Sequence, residues 1–286
     1  MCSSETGMLT ESDLRLLALL HSPMSITELS DRTEYSPGYV SERVSRLEKF
    51  VLVATTRRNR TKEVRVLHTP VLEAYQELVV NNGHIEFPSL ISLSMLQVCW
   101  FLDTPTAVSE IEPRLTLRRR RIHQLLEQLQ ARAFIMKHGT HCVLTENLKG
   151  LARFAQTVIK YEHQHCAQNQ CSTATVVWSA PHEALITTRD GATEPVLDTF
   201  EDDPHWHMTG LPRFADYGLT FFIAGAPPYF YSKIKDTLTP VDFISHALML
   251  EADTRRLSYC TLLLLATESR TTSYAPLSRT TALKTR

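Results

Sequence analysis

Basic side chains gather at two places in a chain that is otherwise close to neutral, with 30 Lys and Arg against 31 Asp and Glu. Around residues 42–65, eight bases (Arg43, Arg46, Lys49, Arg57, Arg58, Arg60, Lys62 and Arg65) face three acids (Glu42, Glu48 and Glu63), a local excess of +5 (eight minus three). The second cluster is an uninterrupted run, Arg118, Arg119, Arg120 and Arg121. Guanidinium and ammonium groups without neighbouring carboxylates are donors for phosphate oxygens, and such contacts release counterions and weaken with salt. A net charge of -1 gives no general attraction to a polyanion, so any such binding has to be local.

Covalent chemistry finds no comparable pattern. The sequence has no G-x-S-x-G, Walker loop, H-E-x-x-H or G-x-G-x-x-G, and no Gly-Ser followed by an Asp-x-Asp pair that could hold the metal ions of a nucleotidyltransferase. Asp202-Asp203 before Pro204 reads as a lone acidic turn, and nine glycines leave few loops able to cradle a phosphate. Catalysis is not expected. His163, His165, Cys166 and Cys171, together with His138, His141 and Cys142, supply soft ligands, but none of their spacings is that of a zinc site. His205-Trp-His207 reads as a surface or aromatic-packing element, and no cofactor or metal is expected. Six cysteines without a C-x-x-C spacing are expected as free thiols of a reducing compartment.

The elements that carry the basic clusters come from an internal repeat. Shifted by 82 positions, His21-Ser-Pro-Met-Ser-Ile-Thr-Glu-Leu29 lies over Asp103-Thr-Pro-Thr-Ala-Val-Ser-Glu-Ile111. Apolar positions coincide along the whole stretch: Leu16 with Val98, Leu20 with Leu102, Ile26 with Val108, Val40 with Ile122, Val44 with Leu126, Leu47 with Leu129, and Leu52 with Phe134. Each copy predicts an amphipathic helix (11–21; 93–102), a break at Pro23 or Pro105, and a short second helix. Ser25 and Glu28 form a capping-box pattern for that helix in the first copy. A longer third helix begins at Ser36-Pro37, or near Thr116 in the second copy. Two short β-prone runs follow (51–56 and 63–67; 134–137 and 141–144), the second pair turning at Gly139-Thr140, and a closing helix ends each copy (70–80; 147–165).

On a helical wheel, Val40, Val44 and Leu47 face the core of the first copy. Gly38, Glu42, Ser45, Arg46 and Lys49 fall on the opposite side, with Tyr39 and Ser41 on the flanks and Ser36 at the amino end. Small, hydroxyl and basic side chains on one exposed face suit the major groove of double-stranded DNA. Arg57, Arg58, Arg60 and Lys62 occupy the hairpin turn, where they would meet phosphates or the minor groove. In the second copy Arg120 and Gln124 point outward with Arg121 and His123 beside them, while Ile122, Leu126 and Leu129 point inward. Four arginines at a helix start oppose the helix dipole, a cost that phosphates would relieve, with Glu201-Asp-Asp203 as an alternative source of compensating charge.

Helix, helix, helix, hairpin is the winged-helix order. With Ser25-Ile-Thr-Glu-Leu-Ser30, Ser36-Pro-Gly-Tyr-Val-Ser41 and Val44-Ser-Arg-Leu-Glu48, residues 10–82 resemble MarR-type and related prokaryotic winged-helix regulators. The second copy, 90–165, departs by carrying arginines where the first has Ser-Pro-Gly-Tyr. After a polar stretch read as a linker (166–172), β-prone runs (173–178, 219–223, 229–231) alternate with helix signals at 209–218, at Thr239-Pro-Val-Asp242 and at 254–267. The words Thr209-Gly-Leu, Phe214-Ala-Asp-Tyr-Gly218 and Leu238-Thr-Pro-Val-Asp-Phe-Ile-Ser-His-Ala-Leu248 resemble the C-terminal part of AbiEi-like antitoxins and archaeal winged-helix proteins built alike. That resemblance implies a repressor of its own operon with a nucleotidyltransferase-type toxin as partner.

The expectation is an α+β chain with two tandem winged-helix domains (8–83 and 88–166), a small mixed α/β partner-binding or assembly domain (173–268) and a flexible tail (269–286). It would be a DNA-binding transcriptional regulator acting as a homodimer, with the helix over 147–165 as a contact surface. The alternative is a ligand- or metal-responsive sensor holding a small molecule among Trp178, Phe221, Tyr229 and Tyr231. Residues 1–10 lack a basic region leading into an apolar stretch, and no apolar run has membrane length, so a cytoplasmic protein without a membrane partner is expected.

Overall fold

A computed structural model describes residues 9–58, 61–189, 200, 202–222 and 225–273, and gives a mixed α+β chain with small antiparallel sheets. The first repeat runs α1 (Glu11–Leu19), β1 (Met24–Ser25), α2 (Ile26–Thr33), α3 (Pro37–Lys49), β2 (Val53–Arg58), β3 (Thr61–Val66) and α4 (Pro70–Asn81). After a short α5 (Phe87–Leu90) the second runs α6 (Leu93–Cys99), β4 (Thr106–Ala107), α7 (Val108–Ile111), α8 (Arg119–Ala131), β5 (Ile135–His138), β6 (His141–Leu144) and α9 (Lys149–Gln170). α6, β4, α7, α8 and β5 each begin 82 residues after their counterparts. The sheets are equivalent too, β1-β3-β2 and β4-β6-β5.

Local chemistry explains these elements. Capping boxes start α1 (Thr10 with Asp13) and α2 (Ser25 with Glu28), and the Ser36 hydroxyl caps α3 before Pro37. All but one of the coincident apolar pairs are buried at both positions; Ile26 and Val108 are half-buried. The residue closing α3 at Val51 and the one closing α8 at Ala133 both adopt left-handed backbone, with φ of 56° and 57°. Each turn is then fixed by the same bond: Leu52 N–H donates to the Leu47 carbonyl at 3.0 Å, and Phe134 N–H to the Leu129 carbonyl at 2.9 Å. A single buried cluster runs from Leu9 to Val158, so the repeats share one core.

The rest forms a four-stranded antiparallel sheet, β7 (Thr175–Ala180), β8 (Glu183–Thr187), β10 (Tyr229–Ser232) and β9 (Trp206–Met208), in the order β7-β8-β10-β9. A 3-10 turn (Leu211–Tyr217), α10 (Pro240–Leu250) and α11 (Thr254–Ser273) complete it. One sheet face packs Tyr229 and Tyr231 against Ala167 and Cys171 at the end of α9. The other turns Phe230 onto Trp178 and onto His246 of α10. Gly210, with φ of 68°, comes so close that a Cβ would lie 3.3 Å from Pro228 Cγ. No helix of the described residues is long and apolar enough to cross a membrane.

Several expectations need correction. The third helix of the second repeat starts at Arg119, not near Thr116, because Leu115 is drawn into the core and the Thr116 hydroxyl lies 3.2 Å from His182 Nε2. The stretch 166–172 is mostly helix: α9 continues to Gln170 so that Ala167 and Cys171 reach the second core. The apolar side of α9 packs inside the chain against α4, α6 and β7. Leu219–Phe222 is not a strand; Phe221 stacks on Tyr259 at 3.8 Å. α11 extends to Ser273, into the region expected as tail. Cys99, Cys142, Cys171 and Cys260 are free and buried, whereas Cys166 is disulfide-bonded.

Candidate nucleic-acid interface

α3 exposes one continuous stripe, Gly38, Glu42, Ser45 and Lys49, spaced at four, three and four residues as a helical face requires. Ser36 is exposed and Ser41 half-buried. The Ser36 Oγ accepts from Tyr39 N at 3.3 Å and the Ser45 Oγ donates to the Ser41 carbonyl at 2.9 Å. Two candidates are turned inward. The Tyr39 hydroxyl donates to Ser12 Oγ on α1 at 2.9 Å, its ring under the Arg43 guanidinium at 4.9 Å. Arg46 is half-buried and within electrostatic reach of Glu162 on α9. The end of α3 lies against α9, where the Tyr161 hydroxyl donates to the Phe50 carbonyl at 3.1 Å and the Phe50 and His165 rings lie 5.2 Å apart.

The β2–β3 ladder explains the hairpin. Val53 pairs with Val66, Thr55 with Val64 and Arg57 with Lys62, so these six share the sheet face that packs on α3. Arg57 is exposed at the end of that face, while Lys62 Nζ is 3.6 Å from Glu48 Oε2. Glu48 also accepts from the Thr55 hydroxyl and from Thr55 N, and those bonds together with Lys62 hold its carboxyl below the usual range. Glu48 therefore ties the β2–β3 hairpin to α3, a role that its place among the bases concealed. Arg65 is exposed on the opposite face, across from Ala54. Arg58 sits at the last pair of the ladder, opposite Thr61; Arg60 lies outside the described residues.

At the second repeat the arginines stay in solvent. Arg118 takes the N-cap place of α8 with no side-chain cap, and Arg118, Arg119, Arg120, Arg121, His123 and Gln124 are all exposed. Arg119 lies 3.4 Å from Glu112. Arg118, Arg120 and Arg121 make no ion pair among the described residues, so Asp202 and Asp203 do not compensate them, and Glu201 lies outside those residues. Lys137, His138 and His141 are exposed on the β5–β6 hairpin, with His141 4.0 Å from Glu110. Only the hairpin placement signals them in the sequence.

The sheet domain approaches both helices. His182, in the β7–β8 turn, touches Thr116 just before α8 and lies within electrostatic reach of His163 on α9. Burial holds His182 at about 4 and His163 at about 3, both well below an ordinary imidazole. Glu162 is pushed up by burial, against the pull of Lys233 and Arg46. Trp178, Phe221, Tyr229 and Tyr231 do not line one cavity. Tyr229 and Tyr231 fill the core on one sheet face, Trp178 stacks on Phe230 of the other, and Phe221 belongs to the α10–α11 cluster. Among the described residues no group of three or more His, Cys, Asp or Glu is placed to hold a metal ion.

No curated protein matches the chain. Residues 203–278, which take in β9, β10, α10 and α11 and neither repeat, match the family described as HVO_2833_C, C-terminal.

Proposed function

We propose that the chain is a sequence-specific double-stranded DNA-binding regulator made of two winged-helix units, and that it works by binding rather than catalysis. α3 and α8 are the reading helices and the β2–β3 and β5–β6 hairpins the wings. Gly38, Ser41, Glu42, Ser45 and Lys49 face the bases of one half of the site. His123 and Gln124 face the bases of the other, where Arg118, Arg120 and Arg121 hold phosphates, and Arg57, Arg58 and Arg60 anchor on phosphate from the first hairpin. One observation carries this reading: the same helix-plus-hairpin arrangement recurs 82 residues apart, each time with an exposed polar or basic face on the third helix, α3 or α8. In a chain of net charge -1 such local clustering is what a polyanion would select. The sheet domain is the place for a protein partner, and a nucleotidyltransferase-type toxin is the partner its resemblance to antitoxins suggests.

Selection from a pool of random-sequence duplexes, followed by fluorescence anisotropy, tests the reading. An enriched motif should bind at least about 1,000-fold tighter than unselected duplex, with affinity falling steeply as salt rises. A pool without enrichment, or binding indifferent to salt, would overturn it.

A further inference from the structure

The repeats meet mainly along α4 and α9, the helix that closes each of them. Tyr75 of α4 lies 5.5 Å from Phe154 of α9, ring to ring; Glu77 lies 3.3 Å from Arg153; and a Cβ on Gly150 would stand 3.5 Å from Leu78 Cδ1. Numbers rise along α4 as they fall along α9, so the helices are antiparallel. α4 and α9 are the closing helices of the two repeats, and they pack side by side and antiparallel, the arrangement that an isologous, twofold contact gives to equivalent helices. The crossing is sealed by the buried cluster shared from Leu9 to Val158.

We infer that one chain does by itself what two copies of a single winged-helix protein do together: it spans both halves of one DNA site. The inference rests on the DNA-binding reading above. A twofold relation presents α3 and α8 to the same duplex as a symmetric dimer presents its two reading helices. The halves are not chemically alike. Where α3 carries Gly38, Ser41 and Glu42, α8 carries Arg120, His123 and Gln124. A half with arginine on the phosphates and histidine and glutamine toward the bases therefore faces a half of hydroxyls, one carboxylate and one lysine, and the site is two-part and non-palindromic. The homodimer of the sequence reading is then not needed for binding, which fits an α9 whose apolar side is already covered.

The test uses the full chain and the duplex enriched from the random pool. Native mass spectrometry should find one chain per duplex, and the enriched motif should have two unlike halves. His123→Ala with Gln124→Ala should relax the preference in one half only, and Ser41→Ala with Ser45→Ala in the other only. A palindromic motif holding two chains, or a variant that alters both halves alike, overturns the single-chain inference while leaving DNA binding in place. Failure to enrich any duplex removes the DNA reading, and this inference with it.

Discussion

In the proposed complex with DNA, the arginines at the head of α8 set folding against binding, and that opposition can be measured. The variant Arg118→Ser, Arg120→Ala, Arg121→Ala leaves Arg119 on Glu112 and removes three exposed cations with no ion pair among the described residues. The helix has no side-chain cap at Arg118, whereas its counterpart α3 has Ser36 in the equivalent place. A new serine cap contributes about 1 kcal/mol. Relieving two charges against the positive end of the helix dipole adds about 0.3–1 kcal/mol each. Together they should raise the thermal midpoint by about 3–10 °C for a chain of this size. Each lost phosphate contact makes the log–log salt slope shallower by about 0.9, so three contacts change it by about 2.7. Over a fourfold rise in salt, wild type should lose about 40-fold more affinity than the variant. Differential scanning calorimetry gives the first quantity and anisotropy on labelled duplex at several salt concentrations the second. A variant that melts lower, or that keeps the wild-type slope, refutes the assignment of these arginines to phosphate.

Two further outcomes follow from the same geometry. Val51 is a β-branched residue held at φ of 56°, so Val51→Gly should stabilise the chain by about 0.5–1 kcal/mol in urea titration, and a loss of stability would show that its left-handed turn carries no strain. Burial holds His163 near 3 and His182 and His246 near 4, below an unfolded imidazole near 6.5. The unfolded chain then binds more protons between those values, so the contribution of these residues is full above about 6.5 and is lost as pH falls from there to the folded values. The melting temperature should decline from pH 7 to 4.5, and less steeply in His246→Gln; a flat profile would mean that these rings are not buried in neutral form.

The repeat was legible because burial repeats its own period. Leu16, Val40 and Leu47 and their partners Val98, Ile122 and Leu129 are core residues with one apolar function, and an apolar pattern is what a sequence displays best. Caps were legible as well, since Ser25 with Glu28 and Thr239 with Asp242 are local pairs. Long-range pairing was not. Nothing near Arg46 in sequence points to Glu162, and the capture of Lys62 by Glu48 depends on a ladder register that places Arg57 and Lys62 on the inner face. The stretch 166–172 misled for a related reason: its polar residues are the solvent side of a helix whose few inward positions, Ala167 and Cys171, meet a sheet distant in sequence. Leu219–Phe222 read as a strand because aromatic residues favour strands, yet stacking of Phe221 on Tyr259 decided its conformation.

The boundary of the family match cuts through a hydrogen-bonded ladder. β10 lies between β9, inside the matched stretch, and β8, outside it, with Tyr229, Phe230, Tyr231 and Ser232 each paired to β8. A fragment cut to the matched residues would bare that row of amides and carbonyls beside three aromatic side chains, and would lose the α9 residues that cover Tyr229 and Tyr231. An open aromatic edge of that kind recruits other strands. Excised material would therefore self-associate, and any recombinant piece meant to remain monomeric has to begin upstream, with the helix that ends at Gln170 included.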